Sequence, residues 1–379
     1  MNKNIVPTYT DIMIYLDNAA TTKVFDEVIR EVSTSLVFDY FNPSSLYVPA
    51  TQVKRKMDEA RENIAHALGA KPSEIIFTSG ATEANNWAIN CGLKVKKGNV
   101  VSSYGEHPSS HETLLALKNQ GTEVRFSPLK KDGTVEEDNF LSLIDENTSL
   151  VSLIHRSNET GAINDIVSLS KKAKQINPRL VFHSDGVQAF LKLGTNLRNS
   201  SVDLYSISAH KIGGIKGVGV LFKNEKLNIR PLILGGGQEK NLRSGTENVT
   251  GILAFSSAVK AFQKHYDKRK IAEISQYISN TLYSNIDEIK INSPLHSDIL
   301  SISFHGKKSE IIQRLLAEKG ILIGTGSACA SRLKYNRVLE AMGVCKQCIE
   351  GSIRISLGSL TTMDEARQLV NALTEIIND

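Results

Sequence analysis

SISAHKIGGIKGVGVLF, residues 206–222, decides how the rest of the chain is read. An apolar run ends at Ser208. His210 and Lys211 follow at once, ahead of glycines at 213, 214, 217 and 219. Upstream the run is VDLYSIS (202–208) and downstream it is GVGVLF (217–222), both with the Val, Ile, Leu and Phe content of buried strands. A lysine just past the carboxyl end of such a strand lies at the edge where open α/β sheets bind ligands. The plain alternative is a solvated loop lysine, and a lone lysine would favour it. Three features oppose that reading. Ser208 and His210 offer polar groups suited to a phosphate. The glycines let backbone approach without a Cβ in the way. FHSDGVQ places a carboxylate, Asp185, at the end of another strand.

The same rhythm recurs outward from this point. EIIFT (74–78), NVVSS (99–103), TSLVSLI (148–154) and RLVFHSD (179–185) are short apolar runs, and the first three lead into helix-like segments. This βαβ order predicts an α/β fold, a parallel, doubly wound sheet covered by helices on both faces. After about residue 255 the pattern changes. Residues 251–286 read as one long amphipathic helix, followed by ILSISF (299–304), the helix SEIIQRLLAEKG and SIRISLG (352–358). That mixture predicts a second, smaller α+β domain, which suits a chain of 379 residues.

Bulk properties exclude several functions. A net charge of +5, from 45 basic and 40 acidic residues, with no dense basic block, argues against nucleic acid as a partner. No apolar run approaches the ~18 residues that span a bilayer, so no membrane association is expected. The opening MNKNIVPTYTDIMIYLD lacks the pattern of an export signal. Four cysteines in a chain this long do not form a disulfide framework, and the cytoplasm is the expected compartment. The CKQC pair, Cys345 and Cys348, is weak for zinc without a second pair or a nearby histidine; no metal site is expected.

A lysine, a carboxylate and a phosphate site together suit pyridoxal phosphate. The lysine bonds the cofactor's aldehyde, and the carboxylate keeps the ring nitrogen protonated so that the ring acts as an electron sink. A second phosphate element is SGAT (79–82), where a strand runs into a helix whose first N–H groups are free. An ordinary helix cap would read the same way, with Thr82 and Glu83 opening the helix. Cys329, in GTGSACASRLKYN, is flanked by small and polar residues, which argues for an exposed flexible loop and a nucleophilic thiolate rather than a core position. Arg354, inside the apolar run SIRISLG, needs an anion. A structural ion pair is one choice and the α-carboxylate of an amino acid the other.

Taken together the motifs resemble the cysteine desulfurases of the NifS/IscS type, within the class V aminotransferase group. The resemblance spans nearly the whole chain, from YLDNAATT (15–22) through NPSSLY, SGATEANN, EHPS, SNETGAIND, HSDGVQA, SISAHKIGG, RSGTEN and GSAC to SIRISLG. It implies a fold-type I pyridoxal-phosphate transferase with a large doubly wound mixed-sheet domain, residues 16–256. A smaller α+β domain, residues 1–15 and 257–379, would carry the cysteine loop. By resemblance Lys211 would hold the cofactor and move protons, and His107 would stack on its ring and assist. Asp185 would pair with the ring nitrogen and Gln188 with the phenolic oxygen. Ala81, Thr82, Ser208 and His210 would bind the phosphate. Thr246 would reach the phosphate of a partner subunit, implying a homodimer. Asn42, Asn158 and Arg354 would hold the substrate carboxylate side, with Asn158 also at the cofactor. Cys329 would take sulfur from L-cysteine and pass it to an acceptor protein, for iron–sulfur cluster assembly or tRNA thiolation. Tyr47, Arg156 and GGIKG depart from the family pattern without removing a catalytic group.

Overall fold

The computed structural model describes residues 13–92, 98–325 and 336–378. Its strands are β1 (Ile14–Leu16), β2 (Ile75–Thr78), β3 (Asn99–Ser103), β4 (Val124–Ser127), β5 (Thr148–Ser152), β6 (Val181–Asp185), β7 (Leu204–Ser208), β8 (Gly219–Lys223), β9 (Ile289–Ile291), β10 (Ile299–Phe304), β11 (Ile321–Thr325) and β12 (Ser352–Ser356). The chain divides into two units. The larger is Thr21–Asn158 with Ala162–His265. The smaller takes the residues up to Ala20, Glu159–Gly161, and the chain from Tyr266 onward.

The larger unit holds a seven-stranded sheet in the order β2-β8-β7-β6-β5-β3-β4. The strands from β7 through β4 run parallel, while β8 is antiparallel to both β7 and β2. The sheet is therefore mixed and not wholly parallel as the strand rhythm predicted: β8 follows β7 after a short glycine-rich connection with no crossover helix. Every residue of β3, β5, β6, β7 and β8 is buried, as expected where helices cover both faces. The helix Ala81–Gly92 shows how the sequence does this. Ala84, Trp87 and Ala88 recur at the spacing of one helical face and are fully buried. The Trp87 indole N–H is satisfied by the Arg230 carbonyl at 2.9 Å. β4 follows no continuous apolar run; its middle residues Arg125 and Phe126 are half-buried, as suits an edge strand.

The smaller unit holds a five-stranded sheet, β1-β11-β12-β10-β9, parallel only at β1–β11. Its core joins Ile302, Ile353 and Ile355 of the sheet to Ile274, Ile278, Leu369 and Leu373 of helices Lys268–Asn285 and Met363–Asn378. The single helix expected over 251–286 is two, Val249–His265 and Lys268–Asn285. Asp267 starts the second by accepting the N–H groups of Arg269 and Lys270 at 2.9 and 3.2 Å. Apolar periodicity runs across the break, so the cap residue is what marks it. Cys345 and Cys348 are joined as a disulfide beside the short helix Lys346–Glu350, where the sequence alone suggested incidental cysteines. Among the described residues no helix is long and apolar enough to cross a membrane.

Candidate active site

In the larger unit β6 and β7 are parallel neighbours, so Asp185 and Ser208 end on the same edge of the sheet. β7 passes directly into a single helical turn, Ala209–Lys211, which Ile212 and Gly214 close by donating to the Ala209 carbonyl at 3.0 Å each. That turn delivers Lys211 to a cavity of about 450 Å³, sized for a cofactor. Asp185, Gln188 and His107 line the same cavity, as do Asn158, Ala81, Thr82, Ser208 and His210. These residues come from five separate stretches of sequence.

The phosphate end is built by close backbone packing. A Cβ on Gly219 would lie 2.7 Å from the Gly80 backbone and 2.8 Å from the Ile207 carbonyl, so only glycine lets the strand β8 and the SGAT turn meet. The helix then begins at Ala81, and its first internal bond runs from Ala84 N–H to the Gly80 carbonyl. The N–H groups of Ala81, Thr82 and Glu83 have no partner among the described residues. Thr82 is not the cap. Glu83 reaches back to the Ser79 N–H at 3.0 Å and takes Arg243 in a two-point pair at 2.9 and 3.2 Å. Burial alone would raise the Glu83 carboxyl, but Arg243 and Ser79 outweigh it and hold it below the ordinary range.

The histidines are electrostatically distinct. Burial, with the charges of Lys211 and Lys216 nearby, pushes His210 down to about 4. At neutral pH it is an uncharged imidazole, with Nδ1 at 3.1 Å from the Thr21 hydroxyl. His107 caps the helix Pro108–Asn119: its Nδ1 accepts the Ser109 N–H at 3.1 Å. The neutral ring therefore carries its proton on Nε2. Beneath Asp185, His155 donates its backbone N–H to the Asp185 carbonyl at 2.9 Å and sets Nδ1 2.7 Å from the Tyr205 hydroxyl. The Tyr205 ring closes on Gly186, where any Cβ would come within 1.9 Å of it.

The remaining expected residues lie elsewhere. Asn42 and Thr246 belong to the larger unit but do not line the cavity, and both are exposed. Arg354 lies on β12 of the smaller unit, buried, with Nη2 2.9 Å from Asp17 and Nη1 3.5 Å from Glu159. Cys329 lies outside the described residues. Two residues escaped the sequence reading. Asn85 donates to the Asp185 carboxylate at 2.7 Å, and Ser109 contacts His107. Asn85 was findable, because three residues after Thr82 it shares that residue's helix face.

The sheet edge, the lysine turn and the strand-end carboxylate define a pyridoxal-phosphate enzyme of fold type I. Residues 14–369 match the family described as aminotransferase class-V. A cysteine desulfurase IscS of Dictyoglomus turgidum is 37% identical over 96% of this chain and 94% of its own. A solved structure described as a NifS-like protein superposes with a TM-score of 0.89 at 34% identity, covering 97% and 99% of the two chains. Another, SspA in complex with cysteine, gives 0.81 at 30% identity, covering 92% and 100%. The chain belongs to the class V aminotransferase family, among its cysteine desulfurases.

The residues present fit the cofactor. The Asp185 carboxylate is buried and accepts from Asn85 and from the Val187 N–H at 3.0 Å, with no cationic partner among the described residues; a protonated ring nitrogen supplies one. The three unpartnered N–H groups at the start of helix Ala81–Gly92, with Ser208 and neutral His210, suit a phosphate dianion.

Proposed function

We propose that the chain is a pyridoxal-phosphate-dependent cysteine desulfurase that leaves the sulfur of L-cysteine as a persulfide on Cys329. The observation that carries this reading is the convergence of Lys211, Asp185 and His107 on one cavity. Bound pyridoxal phosphate supplies the electron sink for the pair released at the substrate's α-carbon. Lys211 holds the cofactor and moves the α-proton. Asp185 secures the charge on the ring nitrogen, and Gln188 orients the opposite side of the ring. The N–H groups of Ala81 and Thr82, with Ser208 and His210, fix the phosphate. Arg354, oriented by Asp17 and Glu159, receives the substrate carboxylate, and by resemblance Asn42 and Asn158 are substrate-binding residues of the larger unit. The Cys329 thiolate attacks the substrate sulfur: the C–S bond breaks, an S–S bond forms, and the β-carbon takes a proton to give L-alanine.

Relatives named cysteine desulfurase support this choice of reaction, as does the structural neighbour solved with cysteine. A homodimer in which Thr246 reaches the partner's phosphate accords with the exposure of Thr246 and of Leu46, Tyr47, Val48 and Leu234 on the same unit. The persulfide then passes to an acceptor protein in the cytoplasm, for iron–sulfur cluster assembly or tRNA thiolation. The test is turnover of L-cysteine by wild type and Cys329→Ala. Equimolar alanine and sulfide from the wild type in the presence of thiol, and neither above background from the variant, is the expected result. Sulfide from the variant at the wild-type rate contradicts the reading.

A further inference from the structure

We propose that Asn85 is a positioning residue that ties Asp185 to His107 through Ser109, so that one buried amide governs both the ring-nitrogen carboxylate and the protonation of the pocket histidine. This rests on the reading of both residues as cofactor-facing groups.

The relay is read from four contacts. Asn85 Nδ2 donates to Asp185 Oδ2 at 2.7 Å and to Ser109 Oγ at 2.9 Å. Ser109 Oγ lies 2.8 Å from His107 Nδ1, and the Ser109 N–H points at the same nitrogen at 3.1 Å. Asn85 is fully buried, and its Oδ1 has no hydrogen-bond partner. Leaving a buried carbonyl unsatisfied is costly, so the orientation needs a reason. The reason is that turning the amide over would aim that oxygen at the Asp185 carboxylate. Both amide hydrogens are thus committed, and the relay has one polarity. Ser109 Oγ accepts from Asn85 and turns its own hydrogen toward His107 Nδ1. With two donors aimed at it, Nδ1 is held as an acceptor, and a proton there has no place to bond.

Other charges act on His107 as well. Lys211 and His210 face it from the turn after β7, and Lys216 and Glu83 line the same cavity, with Asp185 opposite and Glu106 preceding it in the chain. Ser109→Ala leaves their contacts untouched, and among them Asn85→Ala removes a bond only from Asp185, so agreement between the two single variants isolates the relay.

The experiment is a pH titration of the His107 ring by ¹⁵N NMR in the full chain, with the cofactor bound and again after its removal, assigned by the resonance missing from His107→Gln. Wild type is expected as the Nε2–H form. In Asn85→Ala, the Ser109 hydroxyl is released to accept, and His107 should bind a proton about three- to tenfold more tightly although Asn85 does not donate to it. Ser109→Ala removes a donor to Nδ1 and should also tighten proton binding. The double variant should equal Ser109→Ala alone. An unchanged His107 midpoint in Asn85→Ala, additive shifts in the double variant, or weaker proton binding in Ser109→Ala would each overturn the proposal. Should Asn85→Ala not fold, the sign of the Ser109→Ala shift still decides the polarity. Because the cofactor-free titration needs no turnover, failure of the relay is separable from failure of the desulfurase reading.

Discussion

Gly219 on β8 and Gly80 in the SGAT turn are packed so closely that a Cβ on the first would stand 2.7 Å from the backbone of the second. The contact sets the height of the turn whose N–H groups await the phosphate. Gly219→Ala must push that turn away, since the atoms it meets are backbone and cannot rotate aside. It should cost about 1–3 kcal/mol of stability. It should also weaken cofactor binding more than a surface Gly121→Ala, measured by dialysis followed by visible absorbance. Cofactor affinity equal to wild type would contradict the packing argument.

Asp185→Asn keeps the shape of the strand end and removes the charge. The amide cannot hold a protonated ring nitrogen, and its NH₂ would confront the Asn85 donor. We expect kcat to fall about 10²–10³-fold, with the cofactor still bound through Lys211. A fall smaller than about tenfold in single-turnover measurements would remove Asp185 from its assigned role.

Arg354 meets Asp17 and Glu159 with different guanidinium nitrogens. Arg354→Lys keeps the charge but loses the planar fork. If the fork receives the substrate carboxylate, KM for L-cysteine should rise about ten- to a hundredfold, the worth of a charged hydrogen bond, with a smaller change in kcat. A loss of thermal stability with KM unchanged would make Arg354 a structural ion pair only.

His155 and His183 are buried and hydrogen-bonded as neutral rings, and burial lowers them to about 4 and about 3. Their folded values lie below the unfolded one, so the unfolded chain binds more protons. Neither affects stability above pH 6.5. As pH falls from there toward 4, each withdraws up to about 1.4 kcal/mol per unit. Urea midpoints should therefore fall steeply between pH 6.5 and 4.5 and stay flat just above. His183→Gln should flatten part of the fall, and a profile identical to wild type would show that another group drives it.

Much of the larger unit was legible because its strands are buried on both faces and so spell themselves as unbroken apolar runs. The edge strand Val124–Ser127 was not, because a half-buried edge needs no such run. β1, β9 and β11 are too short, or too mixed with helix-like neighbours, to stand out. The break at Asp267 hides inside an apolar period that continues through it. At the site, Lys211 and Asp185 were readable from strand ends and glycines, and His107 only through the family resemblance. Asn85 could be placed on the helix face it shares with Thr82, but its role could not be read, because that role is a contact to Asp185 a hundred residues away. Periodicity places a side chain on a face but says nothing of what meets it there.

The central claim is that sulfur leaves L-cysteine and comes to rest on Cys329. The measurement is the intact mass of the cofactor-loaded protein after brief exposure to L-cysteine without reductant, followed by peptide mapping. A gain of one sulfur atom on the Cys329 peptide, absent from Lys211→Ala, is the predicted result. No gain, with the lysine-linked visible absorbance of the cofactor intact, would keep the pyridoxal-phosphate site and contradict the desulfurase.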